Sequence, residues 1–198
     1  MWRIPYRGGG ADKIRGLDFG CGIGRITALM CEFGIDAHGI DISENAISEA
    51  KNVLELAGFN TSIVSIYDGQ NIPFNNNFFD FTISEGVIDS LPFSLAKKLL
   101  KEIERVTKKF FYFSLISSSS VSLFNSNSYQ KDGEFNGEFV VQEKHEFGTI
   151  QSFYNMKKIK ELIKETKFQI VWGELIENHD IFTKYSHGRY HLVLEKIT

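Results

Sequence analysis

The sequence predicts an α/β fold: a seven-stranded, mostly parallel sheet with an antiparallel last strand and helices on both faces. Three observations carry that prediction. Short apolar runs alternate with amphipathic helical patterns from residue 14 to residue 115, the signature of βαβ units. A glycine-rich turn, Gly20-Cys21-Gly22-Ile23-Gly24, joins the first strand to the first helix. The two final apolar runs are separated only by residues 176–188, too short a link for a helical crossover, so the last pair runs antiparallel.

Each element has its own signal. Residues 14–19 read as the first strand. Residues 24–33 read as a helix, with Ile26, Leu29, Met30 and Phe33 on one face and Gly34 as its stop. Residues 35–40 form a second strand. Residues 43–57 form a helix that Ser43 caps and Gly58 ends, with Ala46, Ile47, Ala50, Val53, Leu54 and Ala57 inward. Residues 61–67 and 79–84 give strands three and four, separated by a polar turn region. Residues 95–107 carry the stripe Leu95, Leu99, Ile103 and Val106 of a helix, and residues 110–115 are strand five. The rhythm then breaks: residues 117–148 are rich in Ser, Asn, Gly and aromatics without a period, as in a lid or an ordered insertion. A helix over 156–165 and strands over 168–175 and 189–197 close the chain.

Composition narrows the class. The 198 residues suit one domain, comprising a ligand-binding half (14–115), an inserted lid (about 117–150) and a C-terminal helix and strand pair (156–198). Formal net charge is -3 and no basic stripe is present, so nucleic acid is not an expected partner. Cys21 and Cys31 form no disulfide framework or metal spacing, which fits a reducing, cytoplasmic setting. No apolar run approaches the roughly 18 residues of a membrane span, and no basic-then-apolar leader opens the chain.

The glycine turn carries the chemistry. Glycines let the backbone turn tightly and approach a ligand, and the helix N-terminus behind them attracts polar groups. A dinucleotide fingerprint is G-x-G-x-x-G. Here the glycines run G-x-G-x-G, and Arg25 stands where the third glycine would be. Asp18, two residues before Gly20, would repel a pyrophosphate and attract an ammonium. The segment Leu17–Gly24 resembles the first motif of class I S-adenosylmethionine-dependent methyltransferases, a Rossmann-like superfamily. Gly39-Ile40-Asp41-Ile42-Ser43 is similar to the family's second-strand end, and Asp68-Gly69 with Phe79-Asp80-Phe81 to its stretch between strands three and four. The resemblance covers roughly residues 14–115. It implies S-adenosylmethionine as cofactor and S-adenosylhomocysteine as product. It places Asp18, Gly20, Cys21, Gly22 and Gly24 at the methionine end and Asp41 and Ile42 at the ribose. Asp68 and Gly69 would meet the adenine, and Ser84 and Glu85 would line the site past strand four.

The chain departs from the family in two places. Only about 13 residues precede the first strand, so either the N-terminus is truncated or another element closes the site. Ile88-Asp89-Ser90 holds no obvious base where relatives often show a His or Glu. Among the histidines, His38 lies inside strand two and reads as structural. His145, with Glu143 and Glu146 nearby, is the expected catalytic base, ahead of His179, His187 and His191. Aromatics of the insertion and its exit, including Phe124, Tyr129, Phe135, Phe139, Phe147, Phe153 and Tyr154, would wall an acceptor pocket. The expected reaction is methyl transfer to an oxygen of a small molecule, a sugar or other metabolite of a bacterial biosynthetic cluster. An NAD(P)-dependent oxidoreductase and a non-catalytic adenosylmethionine-binding protein are the rivals. A homodimer, with the insertion packed on the neighbouring subunit, is the alternative role for that segment.

Overall fold

The computed structural model describes residues 13–123, 129–131, 137–141, 149–179, 181–182 and 186–197. Strand β1 (Arg15–Phe19) alternates: Leu17 and Phe19 are fully buried on one face, while Gly16 and Asp18 turn to the other. A side chain at Gly16 would come within 2.6 Å of the Phe81 ring and 2.8 Å of the Met30 sulfur, so glycine lets helix α1 (Arg25–Glu32) settle onto the strand. Strand β2 (Asp36–Asp41) leads to helix α2 (Glu44–Leu56), whose Ser43 cap accepts from Ala46 N at 3.2 Å. Strands β3 (Val64–Ile66) and β4 (Phe79–Ser84) follow, then helix α3 (Phe93–Val106) and strand β5 (Thr107–Ile116).

The chain between β3 and β4 makes turns, and Arg105 of α3 clamps them. Its guanidinium donates to Phe74 O at 2.7 Å and Ile72 O at 2.8 Å, while Glu102 accepts from Ile72 N at 3.0 Å. His38 lies edge to face against Phe74, Phe78 and Phe79 beside that clamp, which makes it a packing residue as expected.

The insertion differs from the sequence reading. Among its described residues are three short strands, β6 (Tyr129–Lys131), β7 (Glu138–Val141) and β8 (Ile150–Ser152), forming a small antiparallel sheet of their own. Strands of three or four residues are too short to establish a period-2 pattern. Helix α4 (Met156–Ile163) and strands β9 (Phe168–His179) and β10 (Ser186–Lys196) complete the chain.

The main sheet has the order β3-β2-β1-β4-β5-β10-β9. It is parallel through β5, and β10 runs antiparallel to both its neighbours, as the short final link requires. One core lies under α3 and α4 and includes Leu17, Phe19, Ile40, Phe79, Phe111 and Phe113. A smaller one, with Ala28, Ile47, Ala50, Leu54 and Val64, lies under α1 and α2. Each such buried side chain of Val, Leu, Ile or Phe size contributes about 1.5–3 kcal/mol. The strand order reverses between β1 and β4, which opens a crevice at their carboxyl ends.

Candidate functional site

The loop after β1 fills that crevice. Gly20, Gly22 and Gly24 have φ of 73, 51 and 78°, a left-handed run that side chains other than glycine's rarely adopt. Gly20 N and Cys21 N both donate to Ile40 O, at 2.8 and 3.0 Å, tying the loop to the end of β2. A Cβ on Gly20 would lie 2.2 Å from Val87, whereas one on Gly22 would meet nothing within 4 Å. The loop is thus closed against the β4 exit at Gly20 and open at Gly22.

Asp41 bridges the two loops. Its Oδ2 accepts from Gly22 N and its Oδ1 from Ser43 N, both at 2.9 Å. Each oxygen keeps lone pairs for further donors, and the residue is half-buried at the crevice edge. Beside it, Ile42 is 63% exposed, and a Cβ on Gly69 would sit 3.4 Å from its Cγ2. Asp68 is exposed and closes its own turn, accepting from Gln70 N and Asn71 N at 2.8 Å and from Asn71 Nδ2 at 3.3 Å. Those bonds hold its carboxyl below the usual range.

Two residues of the expected set face inward. Asp18 is 1% exposed and takes the Thr27 hydroxyl at 2.7 Å, turned onto α1 beneath the loop. Burial pushes its carboxyl up to about 6, against the lowering effect of Thr27. Ser84 points to the α3 side, fully buried, and its hydroxyl has no hydrogen-bond partner among the described residues. Cys21 is also buried, and that burial pushes its thiol up to about 12, as suits a small filler.

Past β4 the geometry is richer than the sequence suggested. Glu85 accepts from Ser114 Oγ at 2.7 Å and from Tyr112 OH at 3.1 Å, and Tyr112 OH meets His191 Nδ1 at 2.7 Å. With the phenol donating to Glu85, the imidazole Nδ1–H donates to the phenol oxygen. Burial and the Glu85 charge push the Tyr112 phenol up to about 12, so it stays a donor. Asp89, 1% exposed, accepts from Ile116 N at 2.8 Å and from Arg189 at 2.7 Å, and its Oδ1 has no partner among the described residues. Burial raises its carboxyl and Arg189 opposes the rise. Sequence reading missed Tyr112, Ser114, Asp89 and Arg189. The sequence shows polar residues two apart on β5 and on β10, but that they meet depends on the register His191↔Ser114 and Arg189↔Ile116.

His145, Glu143 and Glu146 lie outside the described residues, as do Phe124, Phe135 and Phe147. Of the other aromatics expected to wall an acceptor pocket, Phe153 and Tyr154 are buried; Phe153 stacks edge to face on Phe139. Among the described residues no cluster of three His, Cys, Asp or Glu could hold a metal ion.

Comparison with known proteins gives the family and the fold. Residues 11–175 match the model of a family described as a methyltransferase domain. An uncharacterized protein of Haemophilus influenzae is 32% identical over 109 residues, covering 54% of this chain and 43% of that protein. A sterol 4-C-methyltransferase of Caenorhabditis elegans is 27% identical over 124 residues, covering 61% and 36%. The chain therefore spans less than half the length of either relative. The crystal structure of a SAM-dependent methyltransferase from Methanosarcina mazei superposes with a TM-score of 0.79 at 20% identity, covering 94% of each chain.

Proposed function

The chain belongs to the methyltransferase-domain family, and from that premise we propose that it transfers a methyl group from S-adenosylmethionine to an oxygen of a small-molecule acceptor, a sugar or other hydroxylated metabolite. The observation that carries the cofactor reading is Asp41, whose two oxygens each hold one loop amide and keep lone pairs free at the crevice edge. In this reading they take the ribose hydroxyls. Ile42 and Gly69 flank the adenine, with Asp68 at its rim, and the open face of Gly22 admits the rest of the molecule. Asp18, Gly20, Cys21 and Gly24 act by shaping the loop, Asp18 from beneath it.

When bound, S-adenosylmethionine supplies an electrophilic methyl carbon on a sulfonium with an excellent leaving group. The chain's own task is therefore mainly to place the acceptor atom. Glu85, Tyr112, Ser114 and His191 form a polar wall where the carboxyl-terminal parts of β4 and β5 meet the antiparallel β10. That wall offers hydrogen-bond acceptors and donors to a hydroxylated acceptor. His145, expected as the base from the sequence, remains a candidate in the insertion.

The net charge of -3 and the absence of a basic stripe favour a small molecule over nucleic acid. The two free cysteines fit a reducing, cytoplasmic setting. Among the described residues, no helix is long and apolar enough to cross a membrane. The test is release of adenosylhomocysteine, followed with sugar, phenol, amine and carboxylate panels. Release confined to hydroxyl compounds is expected. Release driven only by amines or carbon nucleophiles would overturn the oxygen assignment.

A further inference from the structure

Glu85 stands out for what it lacks. It is exposed at the carboxyl end of β4, and both its oxygens accept hydrogen bonds from neutral hydroxyls, Ser114 and Tyr112. Among the described residues no lysine or arginine pairs with it. The nearby cation, Arg189, is committed to the buried Asp89 at 2.7 Å. Behind Tyr112 stands His191, hydrogen-bonded to the phenol rather than to the carboxylate. Among the described residues, then, the carboxylate of Glu85 is oriented on both sides by neutral hydroxyls and has no ion-pair partner.

Its position gives that charge a use. Asp41 ends β2, the glycine loop ends β1 and Glu85 follows β4, three adjacent strands in the sheet. Neighbouring strands lie about 4.8 Å apart, so Asp41 and Glu85 stand roughly 10 Å from each other across the loop. Val87, two residues past Glu85, packs against Gly20, which keeps this exit segment on the crevice. In S-adenosylmethionine the sulfur is joined to the ribose through a single methylene. A ribose seated on Asp41 therefore leaves the sulfur between the two carboxylates.

We propose that Glu85 reads the charge on the cofactor's sulfur, favouring cationic S-adenosylmethionine over neutral S-adenosylhomocysteine, with Tyr112 and Ser114 as positioning residues. The inference rests on the assignment of Asp41 to the ribose. A fixed carboxylate attracts the sulfonium and gains nothing from the thioether that replaces it after transfer. The same arrangement weakens product binding relative to substrate binding, which clears the site between turnovers.

Equilibrium binding of the two ligands, measured at low ionic strength, decides the matter. Glu85→Gln is expected to weaken S-adenosylmethionine about five- to thirtyfold, while S-adenosylhomocysteine changes by less than about twofold. Glu85→Asp, which keeps the charge, retains most of the preference, and raising the salt shrinks it in the wild type. Asp41→Ala is the control: it weakens both ligands alike, by about tenfold to several hundredfold. Equal losses for both ligands in Glu85→Gln would mean that Glu85 touches a part they share, and no loss for either would remove it from the site. Either result overturns the proposal while Asp41→Ala still reports on the ribose assignment. A wild type that binds neither ligand sinks the cofactor reading and this inference together.

Discussion

Asp18 has almost no contact with solvent and rests on the hydroxyl and backbone of Thr27. Its position was legible from the motif, but its direction was not. Leu17 and Phe19 must share the face under α3, so the period of the strand turns Asp18 to the opposite side, onto α1, rather than along the crevice. Burial raises its carboxyl from 3.8 to about 6, with consequences for stability. A raised acid is accommodated in its protonated form. Its contribution is fully present below the unfolded value of 3.8 and is lost as pH rises through about 6. At pH 7.5 the ionised side chain therefore costs on the order of 1–3 kcal/mol. Asp18→Asn keeps an acceptor for Thr27 without the charge. Urea unfolding should show the variant more stable than the wild type at pH 7.5, with the gain fading between pH 6 and 4. A constant difference across that window would mean that the carboxylate is accommodated ionised.

At the scale of elements, the parallel core was legible because strands of five or more residues alternate there with helices, which gives even the three-residue β3 its place in the rhythm. Strand β4 spans Phe79–Ser84, as its apolar run indicated. The insertion was not legible, since its strands of three and four residues gain order from what they touch. Glu138 of β7 is 4% exposed and accepts from Phe93 N at 2.6 Å, capping a helix whose own N-cap, Pro92, offers no side-chain bond. Lys158 of α4 is 5% exposed, donates to Ser152 Oγ of β8 at 2.7 Å and lies 4.0 Å from Glu138. Burial lowers its ammonium to about 8. Tyr154, fully buried, donates to Ile88 O at 3.5 Å, and Gln151 donates to Asp89 O at 3.3 Å. The small sheet is in this way pinned to the segment that follows β4. Glu138→Ala leaves a helix end uncapped and a buried ammonium short of its counter-charge, for an expected loss of about 3 kcal/mol. Adding Lys158→Met should restore part of it, because the second charge no longer needs a partner. Denaturation of the single and double variants measures this, and strictly additive losses would show that the two side chains do not act as a pair.

Across the whole molecule, the sheet order collects residues that are remote in the chain. Asp41, the glycine loop, Glu85, Tyr112 and His191 reach one edge from β2, β1, β4, β5 and β10. The first three could be read from motifs because each ends or directly follows a strand of the parallel core. The contribution of β10 could not, since it depends on a register, His191↔Ser114, that pairs residues 77 positions apart through an antiparallel return. The shared edge also bears on which ligand the crevice is expected to take. A pyrophosphate is disfavoured beside a carboxylate, and here Glu85 stands past β4 with no ion-pair partner among the described residues. A ligand without phosphate and with a cationic end meets no such repulsion. Ligand that binds only the folded state stabilises it by about 2.7 kcal/mol at a hundred times its dissociation constant. For a chain of this size that corresponds to a rise of about 5–10 °C in Tm. Thermal unfolding is therefore expected to shift upward with S-adenosylmethionine and S-adenosylhomocysteine and to stay put with NAD and NADP at equal concentration. The Asp41→Ala variant should need a correspondingly higher ligand concentration for the same shift. A response to NAD with none to either sulfur ligand would contradict the electrostatic reading of the crevice as well as the identity of its ligand.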